Sequence, residues 1–189
     1  MRAHAQITTS SLFVEGAVFG DRDGSRSVTP PMTTGVASTI GFRLNRSWSV
    51  RFDVEVPADH SLPTYASFFP GRYRVEEMTS VRTITYDATL AWHAQARSNV
   101  DIALMAGLGT AVSQTSTAGF SDTLSQDGSI ARHVDLNRHS SYNNGSLTFG
   151  TDVAVQLTPH IAIVPELRIH LFSEYGSVVR PKLALRWTF

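Results

Sequence analysis

The chain has 189 residues, 42% of them apolar, with 16 basic and 16 acidic side chains and no net charge. The even charge argues against a nucleic-acid surface, and the lack of cysteine removes disulfides and thiolate metal sites from consideration. The mean hydropathy is −0.07, and no apolar run approaches the roughly 18–20 residues of a membrane helix, so spanning by helices is excluded.

In chain order, residues 1–8 read as a tail or the remnant of a secretion signal. Ala3-His4-Ala5 has the small-residue pattern of a signal-peptidase cut, but no apolar stretch precedes it. Residues 9–20 alternate, with Leu12, Val14, Gly16 and Val18 on one face and Phe13, Glu15, Ala17 and Phe19 on the other. A period of two marks a strand. Gly24, Pro30 and Pro31 make 21–33 a loop. A second strand at 34–44 sets Val36, Ile40, Phe42 and Leu44 against Gly35, Ala37, Gly41 and Arg43, and Asn45-Arg46-Ser47 is a tight turn. The third, 48–56, alternates most clearly. Trp48, Val50, Phe52, Val54 and Val56 oppose Ser49, Arg51, Asp53 and Glu55, and Pro57 ends the run. A loop over about 57–78 carries Tyr65, Phe68, Phe69 and Tyr73.

Strands follow at 79–92 and 100–112, joined by a polar turn. The stretch 113–145, rich in Ser, Thr, Asn, Asp and Gly, reads as a third long loop, with 130–136 extending the wall of strands. Strands at 146–157 and 161–171 meet at Thr158-Pro159-His160. Pro165, on the apolar register, predicts a bulge or a locally unpaired position. The last strand, 178–189, places Leu183, Leu185, Trp187 and Phe189 on one side and Lys182, Ala184, Arg186 and Thr188 on the other.

Eight antiparallel strands with alternating long and short connections predict an all-β fold, a single closed up-and-down barrel. The period alone does not say which face is wet. Charged residues share their register with Gly35, Ala37, Gly41, Ala103, Gly107, Gly109, Gly150 and Ala154. Small residues beside long charged ones suit a narrow interior, which would turn the Val, Ile, Leu, Phe and Trp register outward to lipid. Trp48, Trp92 and Trp187 fall at one end of the strands on the apolar register, as in an interfacial aromatic belt.

The terminal strand resembles the assembly signal of outer-membrane β-barrels, carried by Leu183, Leu185, Trp187 and Phe189. The layout over 11–189 resembles the small eight-stranded barrels of the OmpA/OmpX type. The resemblance implies a transmembrane barrel over 9–189 in the bacterial outer membrane. It also implies a periplasmic tail at 1–8 and extracellular loops at about 21–33, 57–78 and 113–145. Outer-membrane lipid and lipopolysaccharide would be its surroundings and the barrel-assembly machinery its partner during insertion. The chain would be a monomer without a cofactor and without nucleic acid.

Four sets of residues follow. A lumen ion-pair network is expected of Glu15, Arg43, Arg51, Asp53, Glu55, Asp87, Asp101, Asp152, Glu166, Arg168, Arg180, Lys182 and Arg186. Isolated charges in a dry interior are costly, so strand three should face groups such as Arg43 and Asp87. The membrane-interface aromatics are Trp48, Trp92, Trp187 and Phe189, and the assembly signal is as above. Tyr65, Phe68, Phe69 and Tyr73 form a possible loop contact surface. His170, Ser173 and Glu174 invite an enzyme reading. His170 and Ser173 are three apart, however, and do not share a face of a strand, so a polar lumen histidine is the better reading. His60, His133 and His139 lack metal-ligand spacing. The expected role is non-enzymatic: structural support of the envelope, or adhesion and recognition through the loops. The alternatives are a lipid A-modifying enzyme, passage of small molecules (by a lateral opening near Pro165, for example) and a soluble carrier barrel.

Overall fold

The structure, a computed structural model, describes residues 11–23, 33–58, 60–62, 67–69, 73–97, 99–125, 127, 129–173 and 176–189. The tail at 1–8, Tyr65 and Glu174 lie outside the described residues. Ten strands follow one another: β1 (Ser11–Asp23), β2 (Thr33–Arg43), β3 (Trp48–Pro57), β4 (His60–Leu62), β5 (Ser67–Phe69), β6 (Tyr73–Arg97), β7 (Val100–Leu124), β8 (Ile130–Gln156), β9 (Ile161–Phe172) and β10 (Gly176–Thr188). Contacts divide the chain into two units, one of residues 1–58, 84–111 and 144–189, the other of 59–83 and 112–143.

The first unit is a closed antiparallel barrel of eight strands. Each neighbours the next in the order β3-β2-β1-β10-β9-β8-β7-β6, and β6 pairs back onto β3. Closure leaves no edge, which is the one way a sheet satisfies all of its backbone groups without water. The turns are held locally. Asn45 Oδ1 accepts from the Ser47 and Trp48 amides at 2.8 and 3.0 Å, and Thr158 Oγ1 accepts from the His160 and Ile161 amides at 3.3 and 3.1 Å. The last residue is tied in as well, the Phe189 amide donating to the Leu12 carbonyl at 3.0 Å.

Alternation sorts the side chains without exception along β3, β9 and most of β10. Val36, Ile40, Phe52, Leu104, Leu108, Phe149, Leu167 and Leu185 are exposed, whereas Arg51, Glu55, Arg168 and His170 are fully buried. Charges fill the interior and a continuous apolar belt covers the outside, a distribution inverted from that of a soluble protein and far larger than an ordinary surface patch. Among the described residues two phenylalanines are inside, Phe13 and Phe19, each directly opposite a glycine of β2, Gly41 and Gly35. A Cβ on Gly41 would lie 1.9 Å from the Phe13 ring, and one on Gly35 2.3 Å from the Phe19 ring, so only glycine leaves room for these rings. The hairpin between β9 and β10 turns on Gly176, whose φ of 86° favours glycine.

Pro165 interrupts the β8–β9 ladder between Asp152↔Glu166 and Val155↔Ile163, and the register is the same on either side. The proline thus removes pairing locally without inserting a residue, and no bulge forms. Pro181 sits in the β9–β10 ladder opposite Leu167, and Pro165 opposite Leu183.

The second unit contains β4, β5 and residues 73–83, 112–124 and 130–143 of β6, β7 and β8. By composition most of this reads as loop. The structure shows strand at 73–78, 113–124 and 137–145 instead, and at 130–136 as expected, so β6, β7 and β8 are each at least 25 residues long. The reason is physical: residues 130–143 are polar or exposed on both faces, so no apolar alternation marks them, although Ser- and Thr-rich chain pairs well as strand.

In lipid vesicles, Leu104→Arg, which puts a charge in the belt, is expected to cost about 2–4 kcal/mol if the site lies near the bilayer midplane. Reversible denaturant titration followed by tryptophan fluorescence measures this, and an unchanged midpoint would mean that the belt does not face acyl chains.

Candidate functional sites: the charged interior and the second sheet

Inward positions on β1, β3, β8, β9 and β10 bring their charges together in tiers. Arg51 lies 2.8 Å from Glu15, 2.7 Å from Asp152 and 3.5 Å from Glu166. Arg186 joins the same tier, 2.5 Å from Glu15 and 3.1 Å from Asp152, and both guanidiniums lie over the Phe13 ring, at 5.7 and 4.7 Å. In the next tier Arg168 bonds Asp53 at 2.7 Å and approaches Glu55 at 3.5 Å, and it also contacts Glu166. Lys182, the one lysine, contacts Glu55 and stands 3.3 Å from Glu166. Arg180 reaches Glu55 at 2.6 Å and lies over Phe19 at 5.3 Å. The planar forks of arginine let one cation serve several carboxylates.

Asp87 faces strand three as expected, opposite Asp53 in the register; it accepts a 2.6 Å bond from Thr148 and lies 3.6 Å from His170. Like charges opposite each other repel, and Asp53 turns to Arg168. The Arg43 guanidinium turns away from strand three. It is partly exposed and bonds Asp101 at 3.2 Å. Glu55, Asp87 and His170 hold ligand atoms within 4.8 Å of one another. Glu55 already meets Lys182, Arg180 and Arg168, so cationic side chains stand where a metal ion would be, and we assign no metal there.

Of the residues weighed for an enzyme, His170 is fully buried beside Glu55 and Asp87, and Ser173 donates to Asn144, so the structure does not bring the two together. One arrangement had no signal in the sequence. Ser49 Oγ is 2.7 Å from His93 Nε2, and His93 Nδ1 is 2.8 Å from Asp101 Oδ2. His93 counts as turn by alternation, whereas β6 in fact carries it inward. The order of groups is that of a hydrolytic triad. Ser49 is fully buried, however, and neighbouring amides are engaged: Leu44 and Asn45 by the Trp48 carbonyl, Ser47 and Trp48 by Asn45, His93 by the Ser47 carbonyl. With Ser49 closed off from solvent, the three are read as a polar chain that satisfies buried groups.

Trp48 and Trp92 are register partners; these two and Trp187 are each 40–46% exposed, and Phe189 is 67% exposed. Leu183 and Leu185 are exposed on the same side of β10. For Phe68, Phe69 and Tyr73, only the strand backbone is described.

On the second unit His133 is clasped by two carboxylates, Asp122 at 2.5 Å from Nδ1 and Asp135 at 3.1 Å from Nε2. It stacks on Phe120 at 5.6 Å, and Arg74 covers the same ring at 5.3 Å while bonding Glu76 at 2.6 Å. Residues 130–143 of β8 neighbour β7 on one side. The β8–β9 register runs to Ser146↔Phe172, and the Ser173 amide still donates to the Gly145 carbonyl at 3.2 Å; among the described residues no strand is paired with the other edge of 130–141.

A scan against family models and a search of curated proteins find no match. Solved structures do match. A major outer membrane protein of Thermus thermophilus is 12% identical, with a TM-score of 0.59, over 95% of this chain and 99% of that one. Ail, the attachment invasion locus protein of Yersinia pestis, crystallised with the heparin analogue sucrose octasulfate, is 13% identical with a TM-score of 0.56, over 95% and 97%. Neisserial surface protein A is 13% identical with a TM-score of 0.54, over 95% and 99%.

Both the interior and the second sheet can be tested by substitution. Arg51→Ala leaves Glu15 and Asp152 short of a cation in a dry interior, with an expected loss of about 3–5 kcal/mol in urea unfolding of the refolded protein. The bonds to Asp122, and secondarily Asp135, hold the His133 imidazole above its ordinary value. The charged form is thus favoured in the fold, and the stabilisation is complete below about pH 6.5 and lost as pH rises through the raised value. An NMR titration should place the His133 midpoint above about 6.5 and show it fall in Asp122→Asn.

The inverted burial, the eight-strand closure and these three neighbours together give the chain the fold of the small eight-stranded outer-membrane β-barrels.

Proposed function

We propose that this protein is an integral outer-membrane barrel that recognises a partner protein by strand addition at the edge of β8 over residues 130–141. The single observation that supports this reading is that edge. It offers a row of backbone donors and acceptors with no partner among the described residues, ready to template an extended peptide. Arg132, His133, Asp135, Arg138 and His139 are interspersed along it, and such charges discourage indiscriminate edge-to-edge pairing. The name of one structural neighbour, an attachment invasion locus protein, is in keeping with adhesion. Passage through the barrel has no comparable support, because ion pairs cross the interior from β3 to β8, β9 and β10.

Successive residues of a strand direct their N–H groups to opposite sides, and proline has none to give. Of Val134→Pro and Asp135→Pro, one therefore breaks the pairing with β7 and the other removes only the free edge. The latter is expected to keep the shift between unboiled and boiled gel mobility that marks a closed barrel. Bacteria displaying it should adhere to epithelial monolayers at least tenfold less than bacteria displaying the wild type. Wild-type adherence no better than an empty-vector control would remove the reading.

A further inference from the structure

Side chains of β8 alternate between two faces, and along its outer edge the two faces differ in chemistry. Thr79 Oγ1 meets Thr117 Oγ1 at 3.2 Å and Thr83 Oγ1 meets Ser113 Oγ at 2.9 Å, so the odd positions of β6 and β7 share one face of the sheet. On β8, His133 touches Phe120 and Asp122, even positions of β7. The even positions of β8 therefore join the first face. Along 130–138 that face reads Ile130, Arg132, Val134, Leu136 and Arg138. Both arginines are exposed, Ile130 and Val134 are 59% and 37% exposed, and Leu136 is half-buried. On the other face the acid Asp135 is already drawn to His133, at 3.1 Å.

The adjoining strand offers the two arginines no carboxylate. On this face β7 presents Ser113, Thr115, Thr117, Gly119, Ser121 and Thr123. Glu77 shares the face from β6, but β7 lies between, which sets the β6 and β8 backbones about 10 Å apart. A strand added outside β8 would lie about 5 Å away. Side chains directly opposite on one face of a sheet stabilise the pairing when their charges are opposite and weaken it when they are alike. Arg132 and Arg138 are separated by ~20 Å of strand, too far for one small anion to engage both. The residues between them on this face, Val134 and Leu136, call for apolar neighbours and not for sugar hydroxyls. A second copy of β8 does not answer them either. Laid antiparallel about Asp135, it would oppose Arg132 with Arg138 twice.

We infer that this edge takes an extended peptide whose side chains on one face follow the order acid-x-aliphatic-x-aliphatic-x-acid. The order is the same read in either direction, so it holds for parallel and for antiparallel addition. The inference rests on the strand-addition reading above and names the class of partner for it.

Three fluorescent peptides test it. Each alternates Thr with the pattern positions and has Val at the aliphatic ones; Glu, Gln or Lys stands at the two acidic ones. Each is titrated by fluorescence anisotropy against the full chain refolded in a neutral detergent. Saturable binding of the Glu peptide is expected, at least threefold tighter than the Gln peptide and at least tenfold tighter than the Lys peptide. Joint substitution Arg132→Gln and Arg138→Gln should bring the Glu peptide level with the Gln peptide. If the double variant does not refold, as judged by unboiled gel mobility, Arg138→Gln alone carries the comparison and should reduce the preference. The proline variant that removes only the outer edge should bind none of the three. Equal binding of all three, lost in that proline variant, overturns the partner class and leaves strand addition standing. A preference for Glu that survives the proline marks a general anion surface and overturns the assignment. So does absence of binding by the Glu peptide, while adherence tests the edge separately.

Discussion

A charge enclosed by a ring of strands cannot be left alone, and the architecture of this barrel is organised around that constraint. The outer register is apolar, and Glu15, Arg51, Asp53, Glu55, Asp87, Asp152, Glu166, Arg168, Arg180, Lys182 and Arg186 go inward, where water is scarce and an unpaired ion costs several kcal/mol. Arg51 and Glu55 are the junctions of the resulting lattice. Arg51 gathers Glu15 and Asp152, and Glu55 gathers Arg180 and Lys182. Strands distant in sequence are thereby cross-linked through the middle of the barrel, over and above their backbone ladders. Such a core packs by charge and shape together, and the rings of Phe13 and Phe19 fill the space that glycines leave.

Closure is the complementary constraint. The β3–β6 pairing completes the ring, and the Phe189 amide fastens the last strand to Leu12 beside the start of the first. With no edge in this unit, the apolar exterior is spared the row of unpaired backbone groups that an open sheet would carry into its surroundings. Where pairing lapses, in β8–β9 beside Pro165 and in β1–β10 beside Pro181, the register is the same on both sides of the gap.

The second unit is built under looser rules. Residues 130–143 of β8 are exposed on both faces, and among the described residues no strand is paired with the outer edge of 130–141. A sheet there has backbone and side chains available for contact, whereas in the barrel nearly all such groups are spent on the fold. That contrast is why recognition is assigned to the second unit and stability to the first. The His133 clasp sits on this sheet and can be read as its local brace, tying β7 to β8 through Asp122.

Much of this was legible in the amino-acid order. Alternation alone separated Leu104, Phe149 and Leu167 from Arg51, Glu55 and Arg168, and it placed Trp48, Trp92 and Trp187 on the apolar side at one end. A period of two is a local property, decided by backbone geometry within a few residues, so eight strands and their two faces could be read directly. Which charges pair could not. Arg43 bonds Asp101 and not strand three, Asp53 faces Asp87 yet bonds Arg168, and Ser49, His93 and Asp101 form a chain that no spacing announced. Partnership across a barrel depends on the stagger of strands around the closed ring, a quantity no single segment contains. The long extensions of β6, β7 and β8 were hidden for a related reason. Along 130–143 of β8, exposed on both faces, selection of apolar residues at every second position disappears, and only pairing to a neighbour reveals the strand.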